Sequence, residues 1–107
     1  MTTAAPIRNG GLPMAWIHMH YRVQDYNKWK DDYDKTAEYK RHQGWKRYRL
    51  YQVAGNRNDL VIMEQFDTLE RAQAYGGSDY LRQAQDQAGV VPPVEVLYID
   101  GLEEGLA

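Results

Sequence analysis

Cysteine is absent from the 107 residues, which excludes disulfides, thiolate nucleophiles and Cys-ligated metals at once. Phenylalanine is nearly absent too: one Phe stands against nine Tyr and three Trp. The aromatic area therefore brings hydroxyl and indole N–H groups that need partners when buried, so the composition points to half-exposed aromatics or a polar pocket. Neither charge sign dominates. A formal net charge of −2 argues against nucleic acid or an anionic membrane surface as a partner. No apolar run is long enough to span a bilayer and no signal-type apolar core follows Met1, so the expectation is a cytoplasmic protein. There is no P-loop, dinucleotide fingerprint, nucleophile elbow or zinc-protease helix. With 43% hydrophobic and 26% charged residues, the chain reads as one globular domain.

What is present is most informative in Trp16-Ile17-His18-Met19-His20-Tyr21-Arg22-Val23. As a strand of period two, it puts Trp16, His18, His20 and Arg22 on one face and Ile17, Met19, Tyr21 and Val23 on the other. A face that begins with Trp and holds two of the three histidines is a poor solvated surface. It either lines a wet cavity or meets a partner.

Residues 1–13 are polar, carry Gly10-Gly11 and two prolines, and read as a flexible extension. The domain is expected over 14–107, with its first strand from Ala15 to Val23. Asp25 caps a helix whose buried stripe is Tyr26, Trp29, Tyr33 and Ala37. Lys40, Arg41 and His42 suit the negative end of that helix dipole, and Gly44 closes it. Strands over Trp45–Val53 and Leu60–Phe66 form a hairpin about a turn at Ala54–Asp59. Asp67-Thr68-Leu69-Glu70 has the form of a capping box. Gly76-Gly77 breaks the short helix it opens, and Ser78 caps a second segment ended by Gly89. Pro92-Pro93 precedes a last strand over Val94–Asp100. The order β-α-β-β-α-β predicts an α+β, ferredoxin-like fold: a four-stranded antiparallel sheet with helices on one face.

These residues also carry a family resemblance. Val23, Asp25, Tyr26, Trp29, Lys30, Tyr33 and Asp34 resemble the opening of small dimeric α/β-barrel proteins. Phe66, Asp67, Glu70 and Ala72, followed by Ser78, Leu81, Ala84, Ala88, Gly89 and Val90, are similar to the second half of the same proteins. The match runs from about Met14 to Asp100. The group is related to cofactor-free antibiotic-biosynthesis monooxygenases, small polyketide cyclases and haem-degrading enzymes. The resemblance implies a dimeric α/β barrel: a homodimer whose sheets pack face to face, with helices outside and a substrate cavity in each protomer. It does not fix a reaction. The family pattern places a His two residues before the Val, where this chain has Tyr21, so no role of that His carries over.

His18 and His20 are candidates for general acid and base at a ketone or phenol, because imidazole titrates near neutral pH, and Tyr21 is a further candidate. The same His-x-His spacing, with Glu64 on a neighbouring strand, matches several metal sites, but without a third His or a Cys no metal is assigned. The plain alternative makes one His a dimer-contact residue and leaves the other partly exposed. Tyr26, Trp29 and Tyr33 are candidates for holding an oxygenated aromatic substrate, the alternative being simple helix-to-sheet core. Tyr75 and Tyr80, beside Gly76-Gly77, are candidates for the rim. Arg47 and Arg49 are expected to share a face with Trp45 and Tyr51 and to pair with a substrate carboxylate or Glu64, and Tyr51 and Glu64 are further substrate-binding candidates. The basic, aromatic stretch Lys40–Arg49 and the element order also fit an RNA-recognition fold. The expected third strand, Leu60–Phe66, has neither the Gly nor the basic residues that such readers place there, and nucleic acid is excluded.

The expectation is thus a cofactor-free, homodimeric enzyme acting by proton transfer on a phenolic or polyketide-like aromatic, of monooxygenase or cyclase type. The alternatives are a non-catalytic ligand-binding or assembly protein of the same fold, or a member binding haem or metal through His18 or His20.

Overall fold

Ala15–Val23 forms β1, and its alternate residues Ala15, Ile17, Met19, Tyr21 and Val23 are buried while those between are not. That alternation is the period-two pattern of a strand covered on one side. The computed structural model describes residues 15–107, so the expected extension over 1–13 lies outside the described residues.

After β1 the chain forms α1 (Tyr26–Lys35), α2 (Ala37–His42), β2 (Trp45–Val53), β3 (Asn56–Phe66), α3 (Leu69–Gly76), α4 (Asp79–Gln87) and β4 (Val90–Ile99). The strands make one antiparallel sheet in the order β2-β3-β1-β4. The helices lie on one face, as a ferredoxin-like α+β fold requires. Beneath them Trp29, Ala72, Tyr75 and Leu81 join Ile17, Met19, Leu60, Ile62 and Phe66 in the core. Each large apolar side chain so buried contributes about 1.5–3 kcal/mol.

Local chemistry explains most boundaries. Asp25 accepts from the Asn27 N–H, and Ser78 from that of Leu81. The cap of α3 is Thr68 rather than Asp67, because the Thr68 hydroxyl accepts from the Arg71 N–H while Asp67 pairs with the Arg71 side chain. The single helix expected from Asp25 to Gly44 is two. At Thr36 both the hydroxyl and the N–H donate to the Tyr33 carbonyl, the local competition by which Thr interrupts helices. The hairpin turn is tighter than expected, with Ala54 and Gly55 alone between the strands and Gly55 at positive φ. β4 starts earlier than expected, at Val90, and its register against β1 shifts between His20 and Arg22, where Pro92 and Pro93 donate no N–H to the ladder.

Among the described residues the second face of the sheet carries no helix. Its cross-strand rows are Leu97, His18, Met63 and Arg49, and next to them Glu95, His20, Val61 and Tyr51. Leu97 is 59% exposed on this face.

Candidate functional site

Between α1, α4 and the sheet lies a small cavity of about 30 Å3 that opens to solvent. Its apolar walls come from Met19, Leu81, Ala84 and Ala88, and its aromatic walls from Tyr21, Trp29, Tyr33 and Tyr75. Asp32, Thr36 and Ala84 are shared with a surface groove that contains Tyr80, so the mouth opens between α1 and α4. That is room for one or two water-sized groups.

The polar chemistry of the cavity converges on Glu64. In the β1–β3 register Glu64 stands opposite Ile17, and cross-strand partners share a face, so its carboxylate points under the helices. Its side chain is 1% exposed. Oε2 accepts from Tyr33 Oη at 2.6 Å and from Lys40 Nζ at 2.8 Å. Oε1 is buried and has no partner among the described residues. A buried acceptor without a donor is costly, and it marks the spot where an incoming donor gains most.

Lys40 is fully buried behind Glu64. Its ammonium sits 3.5 Å from the Tyr33 ring centroid and 4.4 Å from that of Trp45, so two aromatic faces and one carboxylate surround it. Burial pulls the Lys40 ammonium below the ordinary lysine range, and Glu64 opposes that pull. From sequence this residue is a cation in the last turn of a helix, as it is in α2; its burial is what that reading did not include. The signal was available: residues 26, 29, 33, 37 and 40 follow one helical stripe, and only the charge of Lys40 hid its membership.

Tyr21 Oη accepts from Trp29 Nε1 at 3.2 Å, and no acceptor among the described residues takes its own proton. Burial pushes the Tyr21 phenol up, with Glu64 adding to the rise and the Trp29 hydrogen bond opposing it. Tyr21 therefore stays protonated at neutral pH and is suited to donate rather than to act as a base. Tyr33 and Tyr75 are raised in the same way, by burial first and then by the negative charge of Glu64.

Of the residues singled out in the sequence, Tyr21, Trp29, Tyr33, Glu64 and Tyr75 come together around this cavity. Tyr26 packs its ring 5.9 Å from that of Trp29 and stands behind the wall. Tyr80 lies outside the mouth, stacked on Tyr39 at 3.6 Å. Gly76 sits where a Cβ would collide with the Tyr98 hydroxyl, so this glycine admits a close side-chain approach.

His18, His20 and Tyr51 lie on the open face, across the sheet from the cavity. His20 is held between two carboxylates, with Nε2 2.7 Å from Asp59 Oδ1 and Nδ1 2.8 Å from Glu95 Oε1. These contacts, Asp59 foremost, raise the His20 imidazolium above the ordinary histidine value. Glu64 cannot complete a metal site with the His18–His20 pair, because the sheet separates them; among the described residues no cluster of metal-ligating side chains occurs. Arg47 and Arg49 do not share a face with Trp45. The register shift between Trp45 and Arg47 turns Trp45 under the helices beside Tyr48, and leaves Arg49 on the open face 5.2 Å from the Trp16 ring. Neither arginine reaches Glu64.

No family model matches the chain, and no curated protein does. Solved structures do. SnoaB, a cofactor-independent oxygenase from Streptomyces nogalater, superposes with a TM-score of 0.70 at 11% identity, over 86% of this chain and 96% of that one. A proposed antibiotic biosynthesis monooxygenase from Nitrosomonas europaea gives 0.67 at 18% identity, over 85% and 92% of the two chains. Another, from Caulobacter crescentus CB15, gives 0.66 at 18% identity, over 86% and 92%. At such identities the likeness concerns the backbone: this chain has the ferredoxin-like α+β fold that these proteins share, with the strand order β2-β3-β1-β4 described above.

Proposed function

We propose that the protein is a homodimeric, cytoplasmic enzyme acting on a small phenolic or polyketide-like aromatic by proton transfer, of the cofactor-independent monooxygenase or cyclase type. The observation that carries this reading is the unpaired, buried Oε1 of Glu64 at the wall of an aromatic cavity. An arene matches the ring-lined walls in chemistry, and a hydroxyl on it supplies the donor that Oε1 lacks. A benzene-sized ligand fills a cavity of about 150 Å3. The space enclosed here is about 30 Å3, so in this reading a ring enters only as side chains of α1 and α4 at the mouth move aside.

In this reading Glu64 is the proton acceptor and Tyr21 donates to the substrate oxygen. His18, His20 and Tyr51 belong to the subunit contact and take no part in the chemistry. The open sheet face, where Leu97 is exposed and Met63 and Trp16 are half-buried, supports a second copy as its cover, since apolar side chains left open on a sheet face mark an association surface. Among the described residues no helix is long and apolar enough to cross a membrane.

The test is turnover of 1,4-dihydroxynaphthalene in air with no added cofactor, followed by dioxygen uptake and product mass. Protein-dependent uptake above the uncatalysed rate, lost in Glu64→Gln under conditions where circular dichroism shows that variant folded, supports the oxygenase form. A new product without uptake supports cyclisation or dehydration. Binding without turnover places the chain among ligand-binding proteins of this fold, and absence of both contradicts the reading.

A further inference from the structure

Three observations at one place ask for a joint account. Glu64 is a carboxylate removed from water, with one oxygen occupied and one unoccupied. Lys40 is a cation removed from water, held against Glu64 and under two aromatic rings. Tyr33 donates to the same oxygen as Lys40, so both donors occupy Oε2 and leave Oε1 facing no partner.

A buried ion pair of this kind is rarely kept for stability, because apolar side chains of similar volume do as well. The arrangement makes sense if the negative charge has to move. While Glu64 is ionised, the pair is neutral. If a ligand hydroxyl donates to Oε1 and the proton crosses, the O–H bond of the ligand breaks and an O–H bond forms on Glu64. The electron pair of the broken bond stays on the ligand oxygen. Negative charge has then shifted by one hydrogen-bond length, and the cation that balanced Glu64 now balances the ligand. No charge is created in a low-dielectric site at any stage, which is the condition under which a buried proton transfer is cheap.

We propose that Lys40 is the built-in counterion of the Glu64 base, holding the phenolate or enolate formed when a ligand hydroxyl gives its proton to Glu64 Oε1. This inference rests on the cavity reading above and assigns Lys40, which does not touch the ligand, as a positioning residue. Tyr21, whose proton has no acceptor among the described residues, completes the anion's surroundings from the β1 side.

The probe is 4-nitrophenol, whose phenolate is yellow and whose neutral form is not. The full chain is titrated with it in buffer acid enough that the free probe is neutral. The wild type is expected to bind the probe and develop the phenolate band. Lys40→Met is expected to bind it without the band. That single variant leaves Glu64 buried without its cation, which opposes folding, so Lys40→Met with Glu64→Gln is measured beside it: this double variant has neither charge of the pair and is expected to bind the neutral probe, again without the band. A wild type that binds 4-nitrophenol only in its neutral form overturns the counterion role while leaving the cavity reading intact. A double variant that shows the band as strongly as wild type also overturns it. A wild type that binds neither 4-nitrophenol nor 2-naphthol removes the inference together with the reading it rests on.

Discussion

Lys40 Nζ lies 2.8 Å from Glu64 Oε2 with both side chains 1% exposed, so each is the opposite charge in direct contact with the other in a dry site. Removing one partner leaves an uncompensated buried charge, which costs about 3–5 kcal/mol. Lys40→Met and Glu64→Gln should therefore each be strongly destabilised, while the double variant should unfold at close to the wild-type denaturant midpoint. Chemical denaturation of the three variants checks this, and additive losses would show that the two groups do not act as a pair.

Tyr21 supplies the acceptor for the buried indole N–H of Trp29. Tyr21→Phe keeps the ring and strands that donor, at a cost of about 1–3 kcal/mol. The same variant should weaken binding of a ligand anion more than that of a neutral arene, because only the anion uses the lost phenol proton. Equal losses for both ligand types would assign Tyr21 to structure alone.

On the open face, Asp59 from β3 and Glu95 from β4 both hold His20, and Arg22 of β1 lies 3.9 Å from Asp59. The raised His20 value means that the charged cluster stabilises the fold at pH below the ordinary histidine value, and that its contribution is lost as pH rises through the folded one. NMR titration should find His20 titrating above an ordinary histidine, with Asp59→Asn lowering it more than Glu95→Gln. A reversed order would mean that Glu95 is the principal partner.

Leu97 is among the most exposed apolar side chains of the sheet and stands in one row with His18 and Met63. If a second copy covers this face, Leu97→Arg should convert a dimer into a folded monomer by light scattering while leaving far-UV circular dichroism unchanged. A wild type that is itself monomeric at micromolar concentration would remove the face-to-face pairing from the account.

The alternation of β1 was legible because period two is independent of everything else in the chain: Ile17, Met19, Tyr21 and Val23 had to share a face. Which face the helices cover was not, since both carry bulky side chains, and the Tyr-bearing side proved to be the covered one. Glu64 appeared in the sequence as a neighbour of the histidines, which is true of its strand and false of its side chain. Strand register decides that, and register depends on the hairpin and the tertiary pairing. Trp45 and Arg47 were assigned one face by the same parity rule, and a single irregularity in β2 separated them. Lys40 followed the apolar stripe in full view, but its charge also suited a helix end, and its burial becomes legible only with the Glu64 carboxylate beside it.

The central claim is that a ligand hydroxyl meets Glu64 Oε1, and it is tested most directly by calorimetric titration of the wild type with 2-naphthol and naphthalene side by side. The two differ by one hydroxyl. A hydrogen bond to a buried charged group is worth about 1.5–3 kcal/mol, so 2-naphthol should bind roughly ten- to a hundredfold more tightly. Equal affinity for the two arenes would contradict the claim, since the cavity would then be reading rings and leaving the carboxylate unused.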